Sequence, residues 1–410
     1  MPPVTVDALS DDDLQLALYC CYELHYRGFA GVDPEWEWDS ALLGFRAELE
    51  RALLERLYDE VGPIACESPG DVVSALDELI VSASGPSLSN FILESGSLNQ
   101  LQEFCVHRSA YQLKEADPHT FAIPRLSGES KAAMVEIQYD EHGSGSALGM
   151  HSNLFADTMT ALGLDSTYGA YLDKLPGSTL ATVNLVSMFG LHRRWRAALV
   201  GHLAIFEMTS IAPMERYSRT LARLGIGTEG RRFYDVHVAA DARHGVIARD
   251  RMVAGVMATE PHLRSDLLFG AAAVLLVEDR FARQLLDAWS RGRSSLIPLG
   301  RDLNEDVAHT NFVEPTQRHC RLRSSSVTPR THPMHMDHQG HCGEAFFPMP
   351  GRCFRLVSVG RPGSEDSLHY CSLPVVSFGR FRDSQGRWHD VEACASHDGD
   401  LSETFPVNQR

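Results

Sequence analysis

From Ser10 to about Arg293, apolar side chains return at the three-to-four-residue spacing of a helix, and the every-second-residue alternation of a half-buried strand is scarce. A chain patterned this way over most of its length buries apolar surface by packing helix on helix, so the expected fold class is all-α, a helical bundle. Ser10 is placed to cap a first helix whose opening turn, Asp11-Asp12-Asp13, puts acid at the positive end of the dipole. Further helices are predicted over Ser40–Val61 and near 70–83, 97–115, 128–142, 150–163, 178–211, 214–224, 232–257 and 261–291. Breaks are predicted at Pro118, Pro124, Gly143–Gly145, Pro176-Gly177, Pro213 and Pro261.

The pattern fades after Leu296-Ile-Pro-Leu-Gly300, where Arg, Ser, Pro, His and Gly become common. The expected organisation is therefore N-terminal helices over residues 1–95 that pack on or extend the bundle, the bundle itself over 96–295, and a small C-terminal appendage over 296–410, β-rich or irregular and partly disordered. Phe354–Val359 and Leu373–Phe378 are its candidate strands. Lys and Arg total 37 against 54 for Asp and Glu, and a formal charge of −17 argues against nucleic acid and anionic membrane surfaces as partners. The longest apolar run, Ala271–Val277, is far short of the roughly 20 residues of a membrane span. The first residues lack the basic and apolar segments of a secretory signal, and nine cysteines form no C-x-x-C pair, so the expected setting is the cytoplasm with thiols reduced.

Chemistry concentrates in a few polar residues of the helical region. His237, Asp241 and His244 leave one face of a helix, because 3.6 residues per turn bring positions three, four and seven apart into line. Upstream, Glu115 closes one helix, Glu141 ends another, and His151 opens the next across a glycine-rich loop. Glu207 lies among Ile205, Phe206 and Met208, where a buried carboxylate is costly unless a cation or hydrogen-bond donor meets it. Carboxylates and imidazoles from several helices are the ligand mix that suits iron or manganese. A catalytic zinc keeps three protein ligands and an open position, which fits this set less well. Spacing alone leaves Glu136, Asp140 and Glu141 as equal claimants for one ligand position, and a lone His202 reads as a structural histidine. Arg125, Tyr139, Thr209 and Ser210 are candidates to line a pocket.

Tyr111-Gln-Leu-Lys-Glu-Ala-Asp-Pro-His119, Ile123-Pro-Arg-Leu126, Lys131–Gln138, Asp140-Glu-His-Gly143, Met150-His151, Asn184–Arg194, Gly201–Glu207 and His237-x3-Asp241-x2-His244 follow one another in an order that resembles the haem-oxygenase-like diiron oxidases and oxygenases, in the branch of iron-containing redox enzymes. The ligand pattern is similar to that of the central N-oxygenase domain of the streptozotocin pathway. The resemblance covers about residues 10–293 and implies a haem-oxygenase-like bundle. It also implies a metal site of Glu115, Glu141, His151, Glu207, His237, Asp241 and His244, with Glu207 as a mobile ligand. By the same resemblance the site takes two Fe(II) per chain, uses O₂ as co-substrate and draws on an external electron donor or reductase. The implied reaction is monooxygenation, N-oxygenation of an amine- or guanidine-bearing small molecule in specialised biosynthesis, in a chain that is often a homodimer. Oxidative C–C cleavage or desaturation of a fatty or amino acid on the same scaffold is the alternative, and a non-catalytic binding protein is the reading from another class.

Two departures from the family pattern carry expectations. Val236, Ala239 and Gly245 stand where relatives commonly have acidic residues, which predicts a site with fewer partners to orient its imidazoles. In the tail, Cys320, Cys342, Cys353, Cys371 and Cys394 are too widely spaced for an iron-sulfur motif, and His332, His335, His338 and His341 recur every third residue without the His-x-His of a cupin.

Overall fold

A computed structural model describes residues 7–63 and 72–298, together with five strand segments between 356 and 405. Its helical part is the expected all-α bundle. The helices are α1 (Asp12–Glu23), α2 (Ser40–Val61), α3 (Val72–Ser82), α4 (Leu88–Ser95), α5 (Leu98–Gln112), α6 (Asp117–Thr120), α7 (Gly128–Glu141) and α8 (His151–Ala161). They continue as α9 (Gly177–Leu191), α10 (Arg196–Thr209), α11 (Ile211–Arg223), α12 (Thr228–Ile247), α13 (Ala254–Thr259) and α14 (Arg264–Ser290). Among the described residues no single helix is long and apolar enough to cross a membrane.

Side-chain chemistry at the helix ends explains several boundaries. Asp11, not Ser10, caps α1, accepting from the Leu14 N–H at 2.6 Å, while the Ser10 hydroxyl donates to Asp7. Ser97 and Gln100 form a reciprocal capping box at the start of α5. Pro213 does not break a helix. It sits in the first turn of α11, where its missing N–H has no intrahelical carbonyl to serve. The predicted helix over 178–211 is two helices, because His192 adopts extended backbone and its Nε2 meets the Glu50 carboxylate at 2.9 Å. Apolar periodicity runs on through buried Trp195 and hid that break.

α9 is buried from Gly177 to Gly190 and forms the centre of the bundle. α1 packs along it, tied by the Asn184 amide donating to the Gln15 carbonyl at 2.7 Å and by the Tyr26 hydroxyl on Ser187. One apolar cluster joins residues of α7, α9, α10 and α14, including Ile137, Phe189, Leu203 and Leu267. Another joins α4, α5, α8, α12 and the far end of α14 through Ile92, Phe104, Phe155, Phe233 and Phe281. Past His244, α12 widens into one π-helical turn over Ala248–Val253 before α13.

The loop between α7 and α8 is closed by an antiparallel bridge between His142 and Met150. This bridge sets the end of α7 beside the start of α8. Gly143 makes it possible, with φ at +69° and a position where a Cβ would fall 2.4 Å from the Met150 nitrogen. Gly143→Ala is expected to cost about 1–3 kcal/mol, a combination of left-handed strain and a backbone clash, read as a lower thermal unfolding midpoint.

The chain divides into two units, residues 1–310 and 311–410. In the first, the residues just after α14 remain tied to the bundle, since Ser295 hydrogen-bonds Glu103 and His107, and the Ile297 N–H donates to the Lys174 carbonyl. In the second, β1 (Leu356–Val359) pairs antiparallel with β2 (Ser367–Tyr370), and β3 (Val375–Arg382) lies between β4 (Trp388–Cys394) and β5 (Glu403–Phe405). The two sequence segments expected to be strands contribute to β1 and β3. Cys320, Cys342, Cys353, Cys371 and the four histidines from His332 to His341 lie outside the described residues.

Candidate metal centre

The seven residues singled out in the sequence converge. Two groups form, each with ligand atoms within 4.8 Å of one another: Glu115, Glu141, His151 and His237, and Glu141, Glu207, Asp241 and His244. Glu141 belongs to both. Its Oε2 lies 2.6 Å from His151 Nδ1 and 4.0 Å from His237 Nε2, while its Oε1 lies 3.4 Å from His244 Nδ1. Glu115 Oε1 approaches His237 Nε2 at 3.6 Å. In the other group, His244 Nδ1 faces Glu207 Oε2 at 3.4 Å and Asp241 Oδ1 at 3.7 Å.

Local structure accounts for each position. Glu115 follows the end of α5 in a turn whose preceding residue, Lys114, points the opposite way. The Lys114 ammonium is buried 3.2 Å from Glu23 Oε2 of α1 and over the rings of Tyr19 and Tyr26. The closed loop after α7 pairs Glu141 with His151, and α10 supplies Glu207 near its last turn. α12 supplies the remaining three from one face, all buried.

Two of the three imidazoles are held by their outer nitrogens. His237 Nδ1 donates to the Phe233 carbonyl at 2.8 Å, and His244 Nε2 donates to Asp140 Oδ2 at 3.0 Å. Each bond fixes a tautomer that turns the other ring nitrogen inward, as an imidazole ligand requires. Asp140 is itself held by Arg243, and Asp241 accepts a 2.5 Å hydrogen bond from the Ser210 hydroxyl. For His237 and His244 this corrects the expectation of poorly oriented imidazoles: Asp140 and a backbone carbonyl do the work assigned to acids at Val236, Ala239 and Gly245. Gly245 has a different role, since a Cβ there would stand 2.9 Å from the Glu207 carbonyl, so its absence lets α12 close on α10 beside the site. Of the three rival carboxylates on α7, Glu136 instead pairs with Arg251, partly exposed to solvent.

Burial and charge together test whether cations fit. His244 Nδ1 and Glu115 Oε2 are buried without an aligned hydrogen-bond partner. Atoms each about 2 Å from a shared ion lie roughly 3–4 Å from one another, the range of most spacings above. Four carboxylates with neutral imidazoles match the charge of two divalent ions. With protons alone, burial pushes the His237 and His244 imidazoles down but the facing carboxylates prevail and raise both to about 10. Burial also pushes Glu207 well above the usual carboxylate range, and His151 and His244 outweigh it at Glu141, which is held low. The residues fit a pair of metal ions.

A cavity of about 310 Å³ opens against this cluster, reaching Glu115, Glu141, Glu207, His237 and Asp241. Thr209 and Ser210 line it, as expected from the sequence. Arg125 and Tyr139 do not: Arg125 donates to the last carbonyls of α9, and Tyr139 is exposed. His202 pairs with His119 at 3.2 Å and belongs to neither ligand group. The sequence reading missed the cavity's ion pair, Arg108 with Glu278, because its members lie 170 residues apart on α5 and α14.

Residues 102–279 match the family model described as iron-containing redox enzyme. The nitrosourea synthase of Streptomyces achromogenes subsp. streptozoticus is 23% identical over 211 residues, a match that covers 51% of this chain and 45% of the relative. A solved domain of unknown function with a heme oxygenase-like fold from Shewanella denitrificans OS217 aligns over 56% of this chain and 97% of its own, at 12% identity and a TM-score of 0.42.

Proposed function

We propose that this chain, whose residues 102–279 match the family model described as iron-containing redox enzyme, is an O₂-dependent oxygenase with two ferrous ions per chain, acting on the nitrogen of an amine- or guanidine-bearing small molecule. The observation that carries this reading is Glu141, one carboxylate shared by two buried four-residue groups. Glu115, Glu141, His151 and His237 would hold one ion, and Glu141, Glu207, Asp241 and His244 the other. Iron bound there supplies O₂ activation, with electrons from an external donor.

The chain's own residues supply the rest. Ser210 and Asp140 hold Asp241 and His244 so that ligand atoms need little reorganisation on binding. Glu207, whose carboxyl burial destabilises as an anion, is the ligand expected to change its contacts during turnover. Apolar cavity walls, including Phe104, Leu203 and Phe206, keep bulk water from the site. The nitrosourea synthase relationship supports nitrogen as the atom oxidised.

The test is an anaerobic Fe(II) titration followed by oxygen-uptake measurements with amine and guanidine substrates. Two irons per chain and substrate-dependent O₂ consumption are expected. Uptake of well under two irons, or O₂ consumption indifferent to every nitrogen substrate while fatty acids are consumed, would overturn the reading.

Two further outcomes follow from the geometry. Asp140→Asn keeps the size of the side chain but weakens the grip on His244, so iron affinity is expected to fall about 10–100-fold with the fold intact by circular dichroism. Iron binding requires neutral inner nitrogens on His237 and His244, which carry protons up to a pH of about 10 without metal. Loading near neutral pH therefore releases protons, and affinity rises as the pH is raised toward that value. Titration in buffers of differing ionisation enthalpy measures the release.

A further inference from the structure

We propose that the corner where α9 gives way to α10 is the docking face for an acidic one-electron carrier protein, the external donor that the oxygenase reaction needs. This rests on the reading of the cluster as a site for two iron ions, and it names the partner of that site.

Two of the sequence stretches that hold no member of the cluster, Ile123–Leu126 and Asn184–Arg194, meet at this corner. Arg125 donates to the Gly190 and Leu191 carbonyls at the end of α9. The turn that follows presents Arg193 and Arg194 to solvent, and Arg196 donates back to the Arg193 carbonyl. Glu260 matches Arg196, and Glu50 meets His192. Asp266 is close enough to feel Arg194 and Arg196, yet it is half-buried. Among the described residues no ion pair joins Arg125, Arg193 or Arg194 to a carboxylate. Burial and the neighbouring Arg193 charge hold the Arg125 guanidinium below its ordinary pKa, as uncompensated like charges do. On a chain of formal charge −17, this local excess of positive charge is where an acidic partner is attracted rather than repelled. The side chains around it are also of the types that interfaces favour. Tyr58, 47% exposed, stacks on Phe269 at 4.6 Å and lies 6.5 Å from the Trp195 ring, over which the Arg194 guanidinium sits at 4.2 Å.

The same corner lies close to the cluster. A Cβ on Gly190 would stand 2.7 Å from the Pro118 carbonyl and 3.4 Å from the Phe121 ring, so the end of α9 rests directly on α6. α6 begins two residues after Glu115 and ends one residue before Phe121, which separates that carboxylate from the docking face by roughly 10 Å of chain in helical turns. Electron transfer needs such proximity and no bond between the partners. Each encounter would move one electron: the carrier's centre is oxidised and one ferric ion of the cluster is reduced, with no bond formed or broken. Attraction by charge speeds the encounter and is screened by salt, which suits a carrier that must leave after each delivery.

Calorimetric titration of the full chain with two acidic carriers, a plant-type ferredoxin and a flavodoxin, tests the face. Binding of at least one carrier at about 20 mM salt, weakened at least about tenfold at about 0.3 M, is expected. Arg193→Glu combined with Arg194→Glu is expected to weaken low-salt binding at least about tenfold, and to slow reduction of the iron-loaded, air-oxidised protein by the reduced carrier to the same extent. Iron content, the circular dichroism spectrum and reduction by photoreduced deazaflavin, a small neutral donor, are expected to stay unchanged. Arg283→Glu combined with Arg291→Glu makes the same change in net charge toward the other end of α14 from Phe269, and is expected to bind as the unaltered chain does. No binding of either carrier at low salt, equal losses in the two double variants, or undiminished reduction in the first would overturn the proposal. So would capture of phosphatidylserine vesicles by the same arginines in place of the carriers, which would assign the face to a lipid surface. Because iron loading and deazaflavin reduction are read separately, failure of the docking face is distinguishable from failure of the metal centre.

Discussion

Glu141→Gln is expected to empty both halves of the centre at once, lowering bound iron from about two ions per chain to less than half an ion, with activity falling more than about a hundredfold. Its two oxygens face His151 on one side and His244 on the other, so one neutral amide takes charge from both groups. Glu115→Gln and Asp241→Asn give the contrast, because each belongs to a single group and is expected to remove one ion while leaving the other. Metal analysis after gel filtration, with folding checked by circular dichroism, reads all three. If Glu141→Gln retained one ion at close to the original affinity, the shared-carboxylate arrangement would be wrong.

The largest stability effect is expected from Lys114→Met. Its ammonium and the Glu23 carboxylate are both buried, and removing the cation leaves Glu23 without its counter-charge. The cost of such a break is about 3–5 kcal/mol, a fall in melting temperature of roughly 10 °C for a bundle of this size. Glu23→Gln combined with Lys114→Met removes both charges and is expected to recover most of the loss. The coupling between the two sites, measured by thermal or urea unfolding of all four proteins, is the decisive quantity. Melting of the single variant at the original temperature would show that the pair contributes nothing.

The residues of the cluster were legible in the sequence because their chemistry breaks local pattern. Glu207 interrupts an apolar helix, and His237, Asp241 and His244 repeat at a spacing only one helix face produces. The family resemblance was needed to choose Glu141 over Asp140, since adjacent residues on one helix satisfy spacing equally. The structure shows that both serve, one inside the cluster and one behind His244. What stayed hidden depends on tertiary partners. Nothing local marks the turn at His192, which is held by Glu50 of α2. The facing of Arg108 to Glu278 and of Lys114 to Glu23 arises only when distant helices meet. Pro213 was misread for a simpler reason, as a breaker where it is an initiator.

Lys114 and Glu115 are neighbours in the chain that face opposite directions, one into α1 and one into the cluster of carboxylates and histidines. The match to the family model described as iron-containing redox enzyme begins at residue 102. A shortened protein cut near that boundary would retain every ligand yet lose the wall against which the first of them is braced. The span that the family model matches is therefore narrower than the span that must fold together to hold the cluster. The opening helix belongs to the unit that holds the cluster in every mechanical sense, although none of its own residues is part of either group.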